Sequence, residues 1–180
     1  MKQILLMIAL VALVGCGTPS WISDPSDENN GKIERAIRVS LNKMQGELTK
    51  IDLDNVTTLK LWNTRLTNVR GLEKLTKLTN LDLNGNRLTE VPNELKGLTQ
   101  LKELYLHNNQ LKNVRGLENL TQLTHLGLHH NQLTDVKALE KLTRLEHLWI
   151  QGSPALTKAQ IYELQKALPK CNIRHSHPKK

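Results

Sequence analysis

The sequence predicts an α/β solenoid, a stack of short units that each hold a strand followed by a helix-like segment. Three observations carry this. The phrase Leu101-Lys-Glu-Leu-Tyr-Leu-His-Asn-Asn-Gln-Leu111 reads L-x-x-L-x-L-x-x-N-x-L, returns from Leu78 to Leu88 and from Leu123 to Leu133, and has looser copies at Val56–Leu66 and Leu145–Leu156. The copies start 22, 23, 22 and 22 residues apart, and a fixed period in this range marks stacked repeats. Hydrophobic residues make up 38% of the 180-residue chain, yet aromatics are only 3% and Phe is absent. Such a core is mostly leucine, which suits a regular stack.

The chain opens with Met1-Lys2-Gln3, a short positive start, followed by an apolar run from Ile4 to Val14. That run is too short to span a bilayer as a stable helix and has the proportions of a signal-peptide core. It ends in Leu13-Val14-Gly15-Cys16, which resembles the bacterial lipobox. The resemblance implies cleavage before Cys16, a diacylglyceryl thioether on its sulfur and an acylated amino terminus. Several acyl chains anchor durably where one would not. Residues 1–15 are therefore read as a lipoprotein signal peptide, and the expected location is the bacterial cell envelope, outside the cytoplasm, at the outer membrane or cell surface. With Cys16 lipidated, Cys171, the second of two cysteines, has no intrachain partner and is expected to be buried in a cap.

Residues 16–30 are rich in Pro, Ser, Asp and Asn and lack periodicity. They read as a flexible tether with a reach of about 20 Å, in which Trp21 either meets a membrane interface or stands in solvent. From Gly31 to Gln45 the pattern changes: Ile33, Ala36, Ile37, Leu41 and Met44 recur at helical spacing. This predicts a helix stopped by Gly46 that covers the first apolar face of the stack. Thr49-Lys-Ile-Asp52 reads as a short capped helical turn.

Inside each unit the rhythm switches. Leu101, Leu104, Leu106 and Leu111 belong to a strand and its turn, whereas Val114, Leu117 and Leu120 follow at helix-like spacing. One such unit cannot bury its own apolar face, but neighbours share faces and can. These units resemble the leucine-rich-repeat family. Leu133-Thr-Asp-Val-Lys-Ala-Leu-Glu-Lys-Leu-Thr143 looks like the bacterial internalin-type class, and Glu90-Val91-Pro92-Asn93-Glu94-Leu95 is similar to other bacterial members. The resemblance implies a horseshoe with a parallel sheet on the concave side and short helical or 3-10 segments on the convex side. With its caps this domain is placed at residues 31–175.

Asn86, Asn109 and Asn131 hold the ninth position, replaced by Thr64 and Ser153 in the end units. An asparagine there turns the chain and bonds backbone groups of its own and adjacent turns, a scaffold role. After Leu145 the phrase drifts. Thr157-Lys-Ala-Gln160 has capping-box form and opens a helix through Ile161, Leu164 and Leu168. Leu168 to Ile173 reads as a final edge strand and the chain from Arg174 onward as a loose basic tail, with residues 176–180 set outside the domain.

Side chains alternate along a strand. With the leucines inside, positions three, five and seven of each unit face outward, joined by position eight. Position three holds Thr58, Asn80, Glu103, His125 and His147; position five Lys60, Asp82, Tyr105, Gly127 and Trp149. Position seven holds Trp62, Asn84, His107, His129 and Gln151; position eight Asn63, Gly85, Asn108, His130 and Gly152. Five of the seven histidines fall on this face. Aromatics on a rigid sheet are binding anchors, so Trp62, Asp82, Glu103, Tyr105, His107, His125, His129, His147 and Trp149 are the candidate partner-binding residues.

Glu103, His125 and His147 form an adjacent row, and two histidines with a carboxylate suit zinc. No supporting shell can be read beside them, so neither a metal nor a cofactor is assigned. Protonating the face's histidines would add charge to an already basic molecule, a route to pH response. The net charge of +8 favours acidic partners and membrane surfaces. The basic residues are spread over every repeat without a nucleic-acid motif, so nucleic acid is not an expected partner. There is no nucleophile elbow, phosphate loop or zinc-protease motif, and catalysis is not expected. The reading is a lipid-anchored module that recognises a protein through its concave face; the alternative is a polysaccharide-binding or structural envelope lipoprotein.

Overall fold

A computed structural model describes residues 19–21, 24 and 26–176. The signal-peptide and Cys16 readings, and residues 177–180 of the tail, lie outside the described residues.

Six strands form one parallel sheet in chain order: β3 (Thr58–Lys60), β4 (Asn80–Asp82), β5 (Glu103–Tyr105), β6 (His125–Gly127), β7 (His147–Trp149) and β8 (Asn172–Arg174). The register is unbroken, with Leu59, Leu81, Leu104, Leu126, Leu148 and Ile173 aligned across all six. The return path of each unit is a 3-10 segment: Leu72–Lys74, Asn93–Gly97, Leu117–Asn119 and Lys137–Lys141. The predicted solenoid is what the chain forms. A single hydrophobic core runs from Ile33 to Ile173, and its leucines are almost completely buried.

The asparagine ladder closes the open end of each unit. Asn109 Oδ1 accepts from Leu88 N at 3.0 Å, while its Nδ2 donates to Leu83 O at 3.0 Å and Leu106 O at 3.1 Å. Asn86 and Asn131 repeat the arrangement, with their oxygens receiving Leu66 N at 2.8 Å and Leu111 N at 3.0 Å. Each asparagine therefore ties its own turn to the preceding unit.

Both ends are capped, and the caps depart from their expected bounds. The first helix, α1, is Glu28–Leu41 rather than 31–45. Asp27 caps it, accepting from Asn29 N at 2.9 Å. It ends at Asn42 in the left-handed region (φ 51°), not at Gly46. Met44 continues the helical spacing on paper but is 61% exposed, so nothing holds a further turn. Ile33 and Ile37 are buried against the first unit, as a covering helix requires.

The stretch read as a tether is also partly ordered. Besides the start of α1 it contains β1 (Pro19–Trp21), which pairs antiparallel with β2 (Leu48–Thr49) through the register Pro19↔Thr49 and Trp21↔Leu48. The short helix α2 (Lys50–Asp54) follows at once. It is capped by a Thr49–Asp52 box, and Lys43 Nζ lies 2.7 Å from Asp52 Oδ2. The Lys43 ammonium and the Thr49 donors hold the Asp52 carboxyl down at about 2. At the far end, α3 (Lys158–Ala167) starts from the expected Thr157–Gln160 box and delivers β8. The final strand, β8, is Asn172–Arg174 rather than 168–173, so Arg174 belongs to the sheet and not to the tail. Among the described residues no helix is long and apolar enough to cross a membrane.

Candidate functional site

The open sheet face is built by the alternation of the strands. Positions one, four and six are buried, and positions three and five stand between them on the other side. Parallel register then lines equivalent positions into rows. One row runs Asn80, Glu103, His125, His147, Asn172, and the next runs Asp82, Tyr105, Gly127, Trp149, Arg174.

The rings of these rows and of positions seven and eight gather into two groups. His107 and His129 stack at 4.2 Å between centroids with 12° between planes. Tyr105 meets His107 edge-on at 6.3 Å, and His130 meets His129 edge-on at 5.4 Å. The second group is His125, His147 and Trp149, with centroids 4.9 Å apart for the two histidines and 5.7 Å for His147 and Trp149. Gly127 lies between the groups. A Cβ there would sit 3.1 Å from Tyr105 Cδ1 and 3.3 Å from His107 Nδ1. Glycine inside a strand marks a close approach, and here it lets both rings lean across β6.

The electrostatics follow from this packing. Tyr105 donates to Glu103 Oε2 at 3.0 Å; burial and this carboxylate push its hydroxyl pKa upward. Burial depresses the His107 imidazole, and depresses His129 to about 4 with His107 and His130 adding repulsion. The stack is thus held neutral. His107 Nδ1, His129 Nδ1 and Gln151 Oε1, side by side at position seven of three consecutive units, are buried with no hydrogen-bond partner. Polar atoms without partners are costly to bury and rare in folded proteins.

Of the nine predicted face residues, Glu103, Tyr105, His107, His125, His129, His147 and Trp149 form this mid-sheet surface. Asp82 stands beside it, accepting from Asn84 N at 3.0 Å and acting on the charge states of Tyr105 and His107. Trp62 is on the first unit, two strands from Tyr105, and 52% exposed. It does not join the rings. Glu103, His125 and His147 are in register, but Glu103 takes the Tyr105 hydroxyl and His125 Nδ1 lies 3.0 Å from Thr124 Oγ1. Among the described residues no group of three or more His, Cys, Asp and Glu is placed to hold a metal. A separate groove of about 540 Å³, lined by Lys102, Arg144, Glu146 and Lys170 among others, includes none of the ring residues.

Position eight differs in backbone from positions three, five and seven. Asn63, Gly85, Asn108, His130 and Gly152 all have positive φ, between 53° and 72°. This is the left-handed turn out of the strand, a conformation that favours glycine and asparagine. The residue types carried that signal. His130 is the exception to the type and alone among them adds a ring to the site. Arg174, which extends the Trp149 row on β8, was also missed.

Cys171 is buried and unpaired, and burial raises its thiol to about 11. It packs the C-terminal cap as expected, and that shift leaves no reactive thiolate near neutral pH.

Comparison with known proteins agrees with this geometry. The family described as Leucine Rich repeats (2 copies) matches residues 54–97, 77–119 and 121–164, more than half of the chain. An internalin (InlF) of Listeria monocytogenes shares the fold, with a TM-score of 0.69 over 89% of this chain and 46% of its own, at 24% identity. A leucine-rich-repeat protein of Leptospira interrogans superposes with a TM-score of 0.54 over 59% of this chain and 28% of its own, at 32% identity. Tsukushi of Gallus gallus is 35% identical over 100 residues, which is 55% of this chain and 25% of Tsukushi. The chain thus spans less than half the length of each of these proteins. With its repeat phrase, in-register parallel sheet and asparagine ladder, the chain belongs to the leucine-rich-repeat family.

Proposed function

We propose that the protein is a binding module, anchored outside the cytoplasm through a lipid on Cys16, that recognises a protein partner with its open sheet face. One observation carries the recognition reading: seven ring side chains are packed across three neighbouring strands on a rigid, solvent-facing sheet. Pre-ordered aromatic surface loses little entropy on binding, and rigid rings are typical hot-spot anchors. Solenoids commonly use their extended curved face in this way. The unpartnered atoms of His107, His129 and Gln151 favour a ligand that rearranges this row and supplies hydrogen bonds to it. The anchor reading rests on the lipobox-like Leu13-Val14-Gly15-Cys16 behind its apolar run, and it places the module in a bacterial envelope.

The test is capture from envelope extracts with the native chain beside Tyr105→Ala/Trp149→Ala. Proteins held by the native chain and lost by the double variant are the expected result. Equal capture by both would remove the open face from the interface. Mass spectrometry of Cys16 for a diacylglyceryl adduct tests the anchor independently.

A further inference from the structure

The N-terminal cap holds three large aliphatic side chains that the core does not take up. Val39 at the end of α1, Met44 in the following turn and Ile51 on α2 are 63%, 61% and 74% exposed. They belong to one small unit. The turn is tied to α2 by the Lys43–Asp52 contact at 2.7 Å, and Asn42 N bonds back to Val39 O at 3.1 Å. Elsewhere, among the described residues, the large exposed hydrophobics are Trp62 on the sheet and Tyr162 on α3. The cap is thus where exposed aliphatic side chains concentrate, and they are not needed for the core, which Ile33, Ile37, Leu48 and Leu53 fill.

The strand β1 gives this surface a neighbour. Pro19 is paired to Thr49, two residues before Ile51. Only Gly17 and Thr18 separate Cys16 from Pro19, three Cα–Cα steps that reach at most about 11 Å. A lipid on Cys16 would therefore sit within that reach of the strand next to α2, not at the end of a long leash. A bilayer's interfacial layer is about 5–8 Å deep on each side, and aliphatic side chains enter it favourably. By contrast, β3 and β8 are five strand spacings apart, about 24 Å, so the α3 end is carried away from the surface.

We infer that the N-terminal cap docks on the lipid bilayer through Val39, Met44 and Ile51, so that the solenoid stands on its first unit and leaves the ring-bearing sheet face open to the side. This rests on the proposed Cys16 anchor. Docking makes the lipid and the cap a two-point attachment, which fixes orientation where acyl chains alone would permit rotation.

The test uses the full chain, expressed where lipoproteins mature and reconstituted in phosphatidylcholine–phosphatidylglycerol vesicles. An environment-sensitive dye is placed at Ile51→Cys or, as the distant control, at Tyr162→Cys; Cys171 is buried and does not compete. The expected result is quenching by a lipid-borne quencher several-fold stronger at position 51 than at position 162, cut at least twofold by Val39→Ser/Met44→Ser. With the Cys16 adduct confirmed by mass, equal quenching at both positions overturns the docking and leaves the anchor standing. Absence of the adduct, with no flotation of the protein on vesicles, overturns the anchor and the docking with it. A dye at position 51 shielded without vesicles, with a doubled mass in solution, overturns it in favour of a second copy of the chain.

Discussion

Asn109 and His129 are both polar, both held by the stack, and opposite in consequence. Asn109 is 8% exposed and has its side-chain groups partnered. Asn109→Ala leaves Leu88 N without its partner, a loss of about 1–3 kcal/mol, while Leu83 O and Leu106 O keep the Asn86 and Asn131 side-chain amides at 2.9 and 3.0 Å. The expected cost is roughly 2 kcal/mol, read as a lower urea midpoint with unchanged slope. A midpoint shift below about 0.5 kcal/mol would mean that water replaces the ladder. His129 has a ring nitrogen buried without a partner, and its pKa is depressed to about 4. Its folded value lies below the unfolded value of about 6.5, so the unfolded chain binds the proton first. Stability is present in full above pH 6.5 and is lost as pH falls toward 4. After discounting for solvent screening the loss is about 1–2 kcal/mol. The melting temperature is expected to fall over that window and to fall less in His129→Gln. An unchanged pH profile in the variant would place the titration elsewhere. The difference between the two residues was only partly legible. The ninth-position spacing exposes Asn109 as scaffold, whereas the depression of His129 comes chiefly from burial, which the neighbouring unit provides in part through the His107 ring stacked on it, 22 residues away in the chain.

At the scale of elements, the sequence was clear where a periodic pattern and a cap agree, and misleading where they part. Thr157 and Gln160 bracket an apolar pattern that begins at once, and α3 starts there. Thr157 Oγ1 accepts from Gln160 N at 3.2 Å and Gln160 Oε1 receives Thr157 N at 2.9 Å. Thr157→Ala should therefore cost about 1 kcal/mol, and faster amide exchange in the first turn of α3 would register it. Retained protection would show that packing against the preceding 3-10 segment holds the helix start without its cap. For α1, the Asp27 cap lies in a polar stretch with no apolar rhythm before it, and Met44 extends the rhythm beyond Asn42. Periodicity alone then shifts the helix by one turn toward the C-terminus. The strand β1 was illegible for a different reason: three residues pair with two through a broken register, too short for alternation to show. Position eight lies between these cases. Its Asn and Gly residues specify a left-handed turn, but a count of outward positions along a strand assigns them to the face, because alternation does not announce where the strand ends.

The whole molecule behaves as a line of neighbours. Each unit's leucines are covered by the next unit, and the last is covered by α3, β8 and the turn between them, where Ile161, Leu164, Leu168, Cys171 and Ile173 are all buried. Stability in such a stack is a sum of nearest-neighbour interfaces, and its ends need closing elements. Removing residues 157–176 would leave β7 as an unpaired parallel edge and open the leucine rows of the fifth unit to water, both routes to association. The ring cluster depends on the same cap at one remove. Trp149 and His147 stand on β7, whose partner in the sheet is β8, while Tyr105 and His107 are two strands further in. A chain truncated after Leu156 is expected to bind a hydrophobic dye and to lose amide protection in β7 first and in β5 much later. Partner capture through Trp149 should then fail before capture through Tyr105. Uniform protection from β5 to β7 in a truncated chain that stays monomeric would instead make the stack one cooperative unit, and the binding face would then survive or collapse as a whole.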